Sequence, residues 1–424
     1  MSILDKFSCT ELDFAQPEKV WSVFKRVPEL GEHIRKELGF LKQFDDQFET
    51  KFPYQKFWSF GDFKNFSRPD RHVRAFYLNL EHIGEKGFLA IKGSEAICSN
   101  FETLITRLES MWSVLTWSIG GPERQICDDI SLMDQLERFP VAEGKPPGVH
   151  PLPDALEEAK TSAEFQLEHL KAYGTLAKVP LPLTVVKWPD DVRDRVWGQL
   201  KNKLSKKAKQ IVESELSTGI ASYVYYYPTL PIRVMHLRIP DASSTPSGIP
   251  FSRRLEMLSS HSDIRTTIEG WISVAASMIS LGFVPIDPAN IGRGNCLMPQ
   301  NLVLDGGIVD LDSIRHVETF KNSASLEFAL QKCTRVLSQA ISWYLVGTSA
   351  GLTRFERMFS DVYAYVWSAI RSKLHSRKLH PRLTEILQGD SDIESMLAYF
   401  GRQLGLGQFR PGDEESKNFK HAGD

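Results

Sequence analysis

An asparagine and an aspartate, Asn301 and Asp310, stand nine residues apart in "MPQNLVLDGGIVDLDSI", on either side of an Asp-Gly-Gly run. Alternating apolar residues flank that run, Leu302 and Leu304 before it and Ile308 and Leu311 after it. This is the pattern of a two-stranded hairpin with a short turn. A hairpin brings the ends of its strands together, so Asn301 and Asp310 are expected side by side, as two oxygen donors of the kind that hard cations such as magnesium favour. An ordinary hairpin with polar ends has the same local sequence. Asp312 falls on the face of Asp310 in a regular strand and is a second candidate ligand.

Phosphate chemistry needs few further parts: a lysine for the nucleotide phosphates, a carboxylate that positions it, and a polar group near the acceptor. Lys92 ends the strand-like run "GFLAIKGS", where Phe88, Ala90 and Lys92 share one face. A strand lysine after small and apolar neighbours resembles the Val-Ala-Ile-Lys signature of kinases. Its carboxylate partner is expected on the helical run at 154–173, with Glu168 the first choice and its i,i+4 neighbour Glu164 the second. Arg233 and Arg238 in "RVMHLR" offer planar forks that match phosphate oxygens, provided a bulge or turn brings both to one side.

The elements that must carry these groups are legible in outline. Residues 1–44 read as a helical segment, broken near Pro28. Residues 45–240 read as a β-rich lobe with an insertion near 120–153, the stretch richest in Pro and Gly. A Ser/Pro/Gly connection at 241–250 leads into a helical lobe at 251–405, and a polar tail at 406–424 has the composition of a disordered segment. The expected fold class is therefore α+β, a two-lobed protein-kinase-like arrangement. With 424 residues, 42% of them hydrophobic, the chain can bury a full core. Its 51 basic and 53 acidic residues leave a net charge of -2, which gives no overall drive toward nucleic acid or an anionic membrane. The five cysteines form no C-x-x-C pair, against a zinc or disulfide framework and in keeping with a reducing cytoplasm. No secretory leader or long uninterrupted apolar run stands out.

Four segments, in order, give the chain a resemblance to the selenoprotein O family, kinase-fold enzymes that bind ATP in a reversed orientation and transfer AMP to protein hydroxyls. "LAIKGSEAICSNF" is similar to the family's lysine strand, and "EFQLEHLKAYGTLAKVPLPLTVV" to its glutamate helix and following strand. "RVMHLR" resembles its paired arginines, and "QNLVLDGGIVDLDS" its metal hairpin with the same nine-residue step. The resemblance implies that Lys92 holds phosphates, that Glu168 positions Lys92, that Arg233 and Arg238 grip the nucleotide, and that Asn301 and Asp310 bind magnesium. ATP and Mg2+ are the implied cofactors. The acceptor, protein or small molecule, stays open.

The chain departs from the pattern where the catalytic acid belongs. The family has an Asp just before the metal Asn, and Gln300 stands there; the aminoglycoside-phosphotransferase pattern places an Asp where this chain has Cys296. Glutamine cannot act as a base. Asp287 in "GFVPIDPANIGRG" follows a helical run and is the candidate replacement, with Asn290 beside it. Three readings follow: an AMP transferase, a small-molecule phosphotransferase similar to aminoglycoside or choline kinases, and a nucleotide-binding pseudokinase.

Overall fold

The computed structural model describes residues 3–6, 12–55, 75–93, 150–201, 206–231, 233–234, 264–285, 296–298, 301–348, 355–375 and 379–388. Within them the protein is a mixed α+β structure, with one six-stranded sheet and several helices.

The first strands are β1 (Leu12–Ala15) and β2 (Glu18–Ser22). Three short helices follow, α1 (Val23–Arg26), α2 (Pro28–Glu37) and α3 (Gly39–Gln47), and then β3 (Phe52–Gln55), which pairs with β1. The stretch read as a helical segment thus carries two strands ahead of its α-helices, and β2 is an integral edge of the main sheet. The apolar spacing misled because Val20 and Val23 lie on opposite sides of a strand-to-helix junction, which Ser22 caps by accepting from the Phe24 N–H.

The main sheet runs β2-β7-β8-β5-β4, built from β4 (Ala75–Asn79), β5 (Phe88–Lys92), β7 (Leu181–Lys187) and β8 (Ile220–Tyr227). All its pairings are antiparallel. A two-residue strand, β6 (His150–Pro151), joins the edge of β8 at Ala221 and Ile220. β8, "IASYVYYY", is β-branched and aromatic nearly throughout and is buried along its whole length, as a central strand demands. The register fixes which side chains share a face: Lys92 lies opposite Tyr223, Ala90 opposite Tyr225, and Phe88 opposite Tyr227.

Behind the opposite face Phe40 of α3 meets Tyr226 edge-on. Over the Lys92 face lies α4 (Leu152–Tyr173), with proline inside its first turn and Gly174 in the left-handed conformation at its end. Its buried stripe includes the small residues Ala155, Ala159, Ser162 and Ala163, so the helix can lie close to the sheet. The helical run at 190–217 divides into α5 (Asp190–Leu200) and α6 (Lys206–Ser217).

The rest of the described chain is mainly helical: α7 (Ile264–Ser280), α8 (Ser323–Thr348), α9 (Phe355–His375) and α10 (Pro381–Gln388), with a small ladder of β9 (Phe283–Val284) and β10 (Arg315–His316). The buried apolar side chains gather into two clusters, one on the sheet and one among these helices. Two elements contribute to both. α4 gives Ala155 to the first and Phe165 to the second, and the segment after Asn301 gives Val303 to the first and Leu302 to the second. Among the described residues no helix is long and apolar enough to cross a membrane. The expected connection at 241–250, the tail and most of the expected insertion lie outside the described residues.

Gly93, directly after Lys92, has φ +86°, and a Cβ there would meet the Ala221 carbonyl oxygen and come within 2.7 Å of the His150 Cβ. Gly93→Ala is expected to destabilise the fold by about 2–4 kcal/mol, from left-handed strain plus overpacking against backbone that cannot yield. A denaturant midpoint unchanged from the wild type would contradict this.

Candidate functional site

The site is assembled where α4 and the hairpin meet the sheet. Lys92 projects from the last position of β5, its side chain only 9% exposed. Its Nζ donates to Glu158 Oε2 at 2.7 Å and also to Asp310 Oδ1. One ammonium thus bridges a carboxylate of α4 and a carboxylate of the hairpin, groups far apart in sequence.

Glu158, not Glu168, is therefore the partner of Lys92. It sits in the buried stripe of α4, where residues 158, 162 and 166 recur at helical spacing, and is 1% exposed. Glu164 and Glu168 point to solvent, and Glu168 pairs with Lys171 at 3.4 Å. The small residues Ala155, Ala159 and Ala163 mark the buried face in the sequence, and Glu158 lies within it. That signal could have found it. Glu168→Gln is expected to shift stability by no more than about 0.5 kcal/mol, as for other exposed positions. Glu158→Gln, which leaves Lys92 short of a buried counter-charge, is expected to lower the denaturant midpoint measurably. Equal effects from the two would return the choice of partner to an open question.

The hairpin takes the expected form. Leu302 pairs with Ile308, Val303 N–H donates to Gly307 C=O, and Val309 N–H donates to Asn301 C=O, at 2.9 Å for each of the two bonds. Asp305 organises the turn by accepting from Gly307 N–H at 2.8 Å, from Thr229 at 2.6 Å and from Tyr227 at 3.2 Å. Below it, Trp271 Nε1 donates to Val303 C=O at 2.7 Å and Thr267 donates to Leu304 C=O at 2.8 Å, so α7 holds the other side. Gly270 and Gly306 permit this approach, since a Cβ on Gly270 would stand 2.7 Å from the Gly306 Cα. The hairpin is thus fixed from the sheet and from the helices at once.

Asp310 departs from the strand alternation. Its backbone is left-handed, φ 66° and ψ 69°, and among the described residues it is the one non-glycine with positive φ. A short 3-10 turn, Leu311–Ser313, follows, so Asp310 and Asp312 do not alternate as strand neighbours. The conformation is what directs the Asp310 carboxylate at Lys92, and a non-glycine residue held in a sparsely populated region is characteristic of functional sites.

Asn301 is buried, and its Oδ1 has no hydrogen-bond partner among the described residues. A buried carbonyl oxygen without a donor is costly. Oxygen donors from Asn301 and Asp310 fit magnesium, which is usually held by one or two protein oxygens with phosphate and water completing its shell. Among the described residues no group of three or more His, Cys, Asp or Glu side chains is arranged for a metal. Tyr223, fully buried opposite Lys92, has its hydroxyl held well above the usual phenol range by burial and then by the charge of Glu158 nearby, with Asp310 a further contributor. It stays a neutral hydroxyl beside the carboxylates.

Arg233 is buried and pairs by its backbone with Val303, so a third short run flanks the hairpin; Val234 N–H donates to Leu302 C=O at 2.9 Å. Its positive charge lies near the Tyr227 hydroxyl. Arg238, Asp287, Asn290 and Gln300 lie outside the described residues. Cys296 is fully buried in the helical cluster, and burial pushes its thiol well above the usual range, so it is a packing residue with no nucleophilic character.

Compared with protein-family models, curated proteins and solved structures, the chain has no match.

Proposed function

We propose that this protein is an ATP- and magnesium-dependent transferase of two-lobed, kinase-like fold, whose reaction moves AMP to a protein hydroxyl. The observation that carries the reading is the bridge from Lys92 to Glu158 and Asp310. Kinase-type phosphoryl chemistry depends on a strand lysine paired with a helix glutamate, beside an aspartate that faces magnesium. All three residue types occur here on elements of that kind, and the buried Asn301 oxygen, which has no donor among the described residues, offers a second ligand from the same hairpin.

In this reading Glu158 holds Lys92 extended toward the nucleotide phosphates, while Asp310 and Asn301 hold magnesium. Bound magnesium supplies positive charge against the phosphate oxygens. Arg233 and Arg238 remain the candidate nucleotide grips, and Asp287 the candidate base that takes the proton of the acceptor hydroxyl. The acceptor oxygen then bonds to the α-phosphorus as pyrophosphate leaves. No nucleic acid or membrane enters this reading, and a cytoplasmic setting with ATP and magnesium at hand is part of it. Gln300 and Cys296, at the places where related patterns carry an acid, favour a second reading, a pseudokinase that binds nucleotide without turnover. A third is a small-molecule phosphotransferase.

Incubation with magnesium and ATP labelled at the α- or the γ-phosphate separates the three. Label from the α-position alone on protein supports AMP transfer, and label from the γ-position alone means a kinase. ATP binding with neither label, across protein and small-molecule acceptors, means a pseudokinase. Asp287→Ala is expected to abolish transfer with ATP affinity nearly intact; equal loss of both would give Asp287 a structural role.

A further inference from the structure

His150 comes from the Pro/Gly-rich stretch that the sequence presents as an insertion, yet its side chain is fully buried. The sheet register explains why. β5 pairs with β8 up to Lys92 opposite Tyr223, and there Gly93 turns the chain away. β6 takes up the same edge of β8 two residues further on, with His150 opposite Ala221. Tyr223 and Ala221 share a face, so Lys92 and His150 do too, and both look at α4. His150 Nε2 lies 3.2 Å from Glu158 Oε2, the same oxygen that accepts from Lys92.

We infer that His150 is a positioning residue, which donates its Nε2–H to Glu158 and so locks that carboxylate in the orientation that presents Lys92 to a nucleotide. An ionised carboxylate can only accept, so the proton must sit on Nε2. A glutamate has three side-chain torsions, and each donor that meets its carboxylate restricts the last of them. Two donors on one oxygen, one from β5 and one from β6, fix it. Lys92 is also drawn toward Asp310, and a Glu158 that swung away would surrender it to that carboxylate. The lock therefore decides which carboxylate commands the lysine. This inference rests on the nucleotide-binding reading of the Lys92 site, but its central contact can be tested without nucleotide.

The experiment compares the full chain with His150→Leu, His150→Gln, Glu158→Gln and the double variant His150→Leu/Glu158→Gln. Nitrogen spectra of the His150 ring are expected to show a proton on Nε2, with a signal that moves in Glu158→Gln. A proton on Nδ1 with a bare Nε2 would overturn the lock. Magnesium-ATP affinity, by calorimetry, is expected to fall about 10- to 100-fold in His150→Leu, the range for residues that orient a ligating group through another. His150→Gln, which keeps an amide donor near Nε2, is expected to recover most of it. In the Glu158→Gln background His150→Leu is expected to cost little more, since no carboxylate remains there to be aimed at Lys92. Losses that multiply in the double variant would overturn the inference, as would a His150→Gln no better than His150→Leu at equal thermal stability. A wild-type protein that binds no ATP overturns the proposed function alone, and the ring spectra still decide on the lock.

Discussion

Lys92→Met is expected to lose both stability and nucleotide transfer, the stability by about 3–5 kcal/mol, the cost of removing one partner from a buried ion pair. The size follows from what remains. Glu158, 1% exposed, keeps its charge between α4 and the sheet, and Asp310 keeps its own with the shared ammonium gone. Methionine matches the length of the lysine stem, so the loss is chiefly electrostatic. The second substitution tests that account: Lys92→Met/Glu158→Gln is expected to recover much of the stability, because it removes the charge left behind. It recovers none of the activity, since the phosphate-facing ammonium is still absent, and the transfer rate is expected to remain about 100- to 1,000-fold down, as for other single groups that stabilise transition-state charge. Denaturant midpoints and the labelled-ATP assay read the two effects separately. A Lys92→Met protein as stable as the wild type would mean that the cluster is not a charged pair at all.

What the sequence made legible, and what it hid, divides along the range of the forces involved. The hairpin around Asp305, the strand that ends at Lys92 and the helical run at 154–173 follow from local chemistry: a Gly turn, alternation and helical spacing. Glu158 and Glu168 are both helical glutamates, and the small residues at 155, 159 and 163 are the one local sign of which of the two is buried. His150 was hidden more deeply. β6 has two residues, and nothing in "GVHPLP" signals a strand; it exists because Gly93 vacates the edge of β8. Strand alternation likewise failed at Asp310, where the ladder ends at Val309 and a left-handed residue re-aims the carboxylate. Fixed spacing suggested a pair of metal ligands, but the contact from Asp310 to Lys92 depends on a backbone conformation that spacing does not encode.

That conformation makes position 310 a place where stability and function are expected to separate. Asparagine tolerates the left-handed region about as well as aspartate, and glycine better than either, whereas alanine there costs about 1–2 kcal/mol. Across Asp310→Asn, Asp310→Gly and Asp310→Ala, the alanine variant is expected to be the least stable, by about that margin relative to glycine. Magnesium-dependent ATP binding should vanish in all three, because each removes the carboxylate that Lys92 and a cation both require. The glycine variant is the informative one: a protein no weaker than Asp310→Asn, with binding lost, would show that the strained backbone is maintained for the carboxylate it aims. Calorimetric titration of ATP with and without magnesium, beside a denaturant curve for each variant, gives both quantities. Unchanged binding in Asp310→Asn would remove the hairpin from the site. Equal stability of the alanine and glycine variants would mean that residue 310 relaxes out of the left-handed region once its carboxylate no longer meets Lys92.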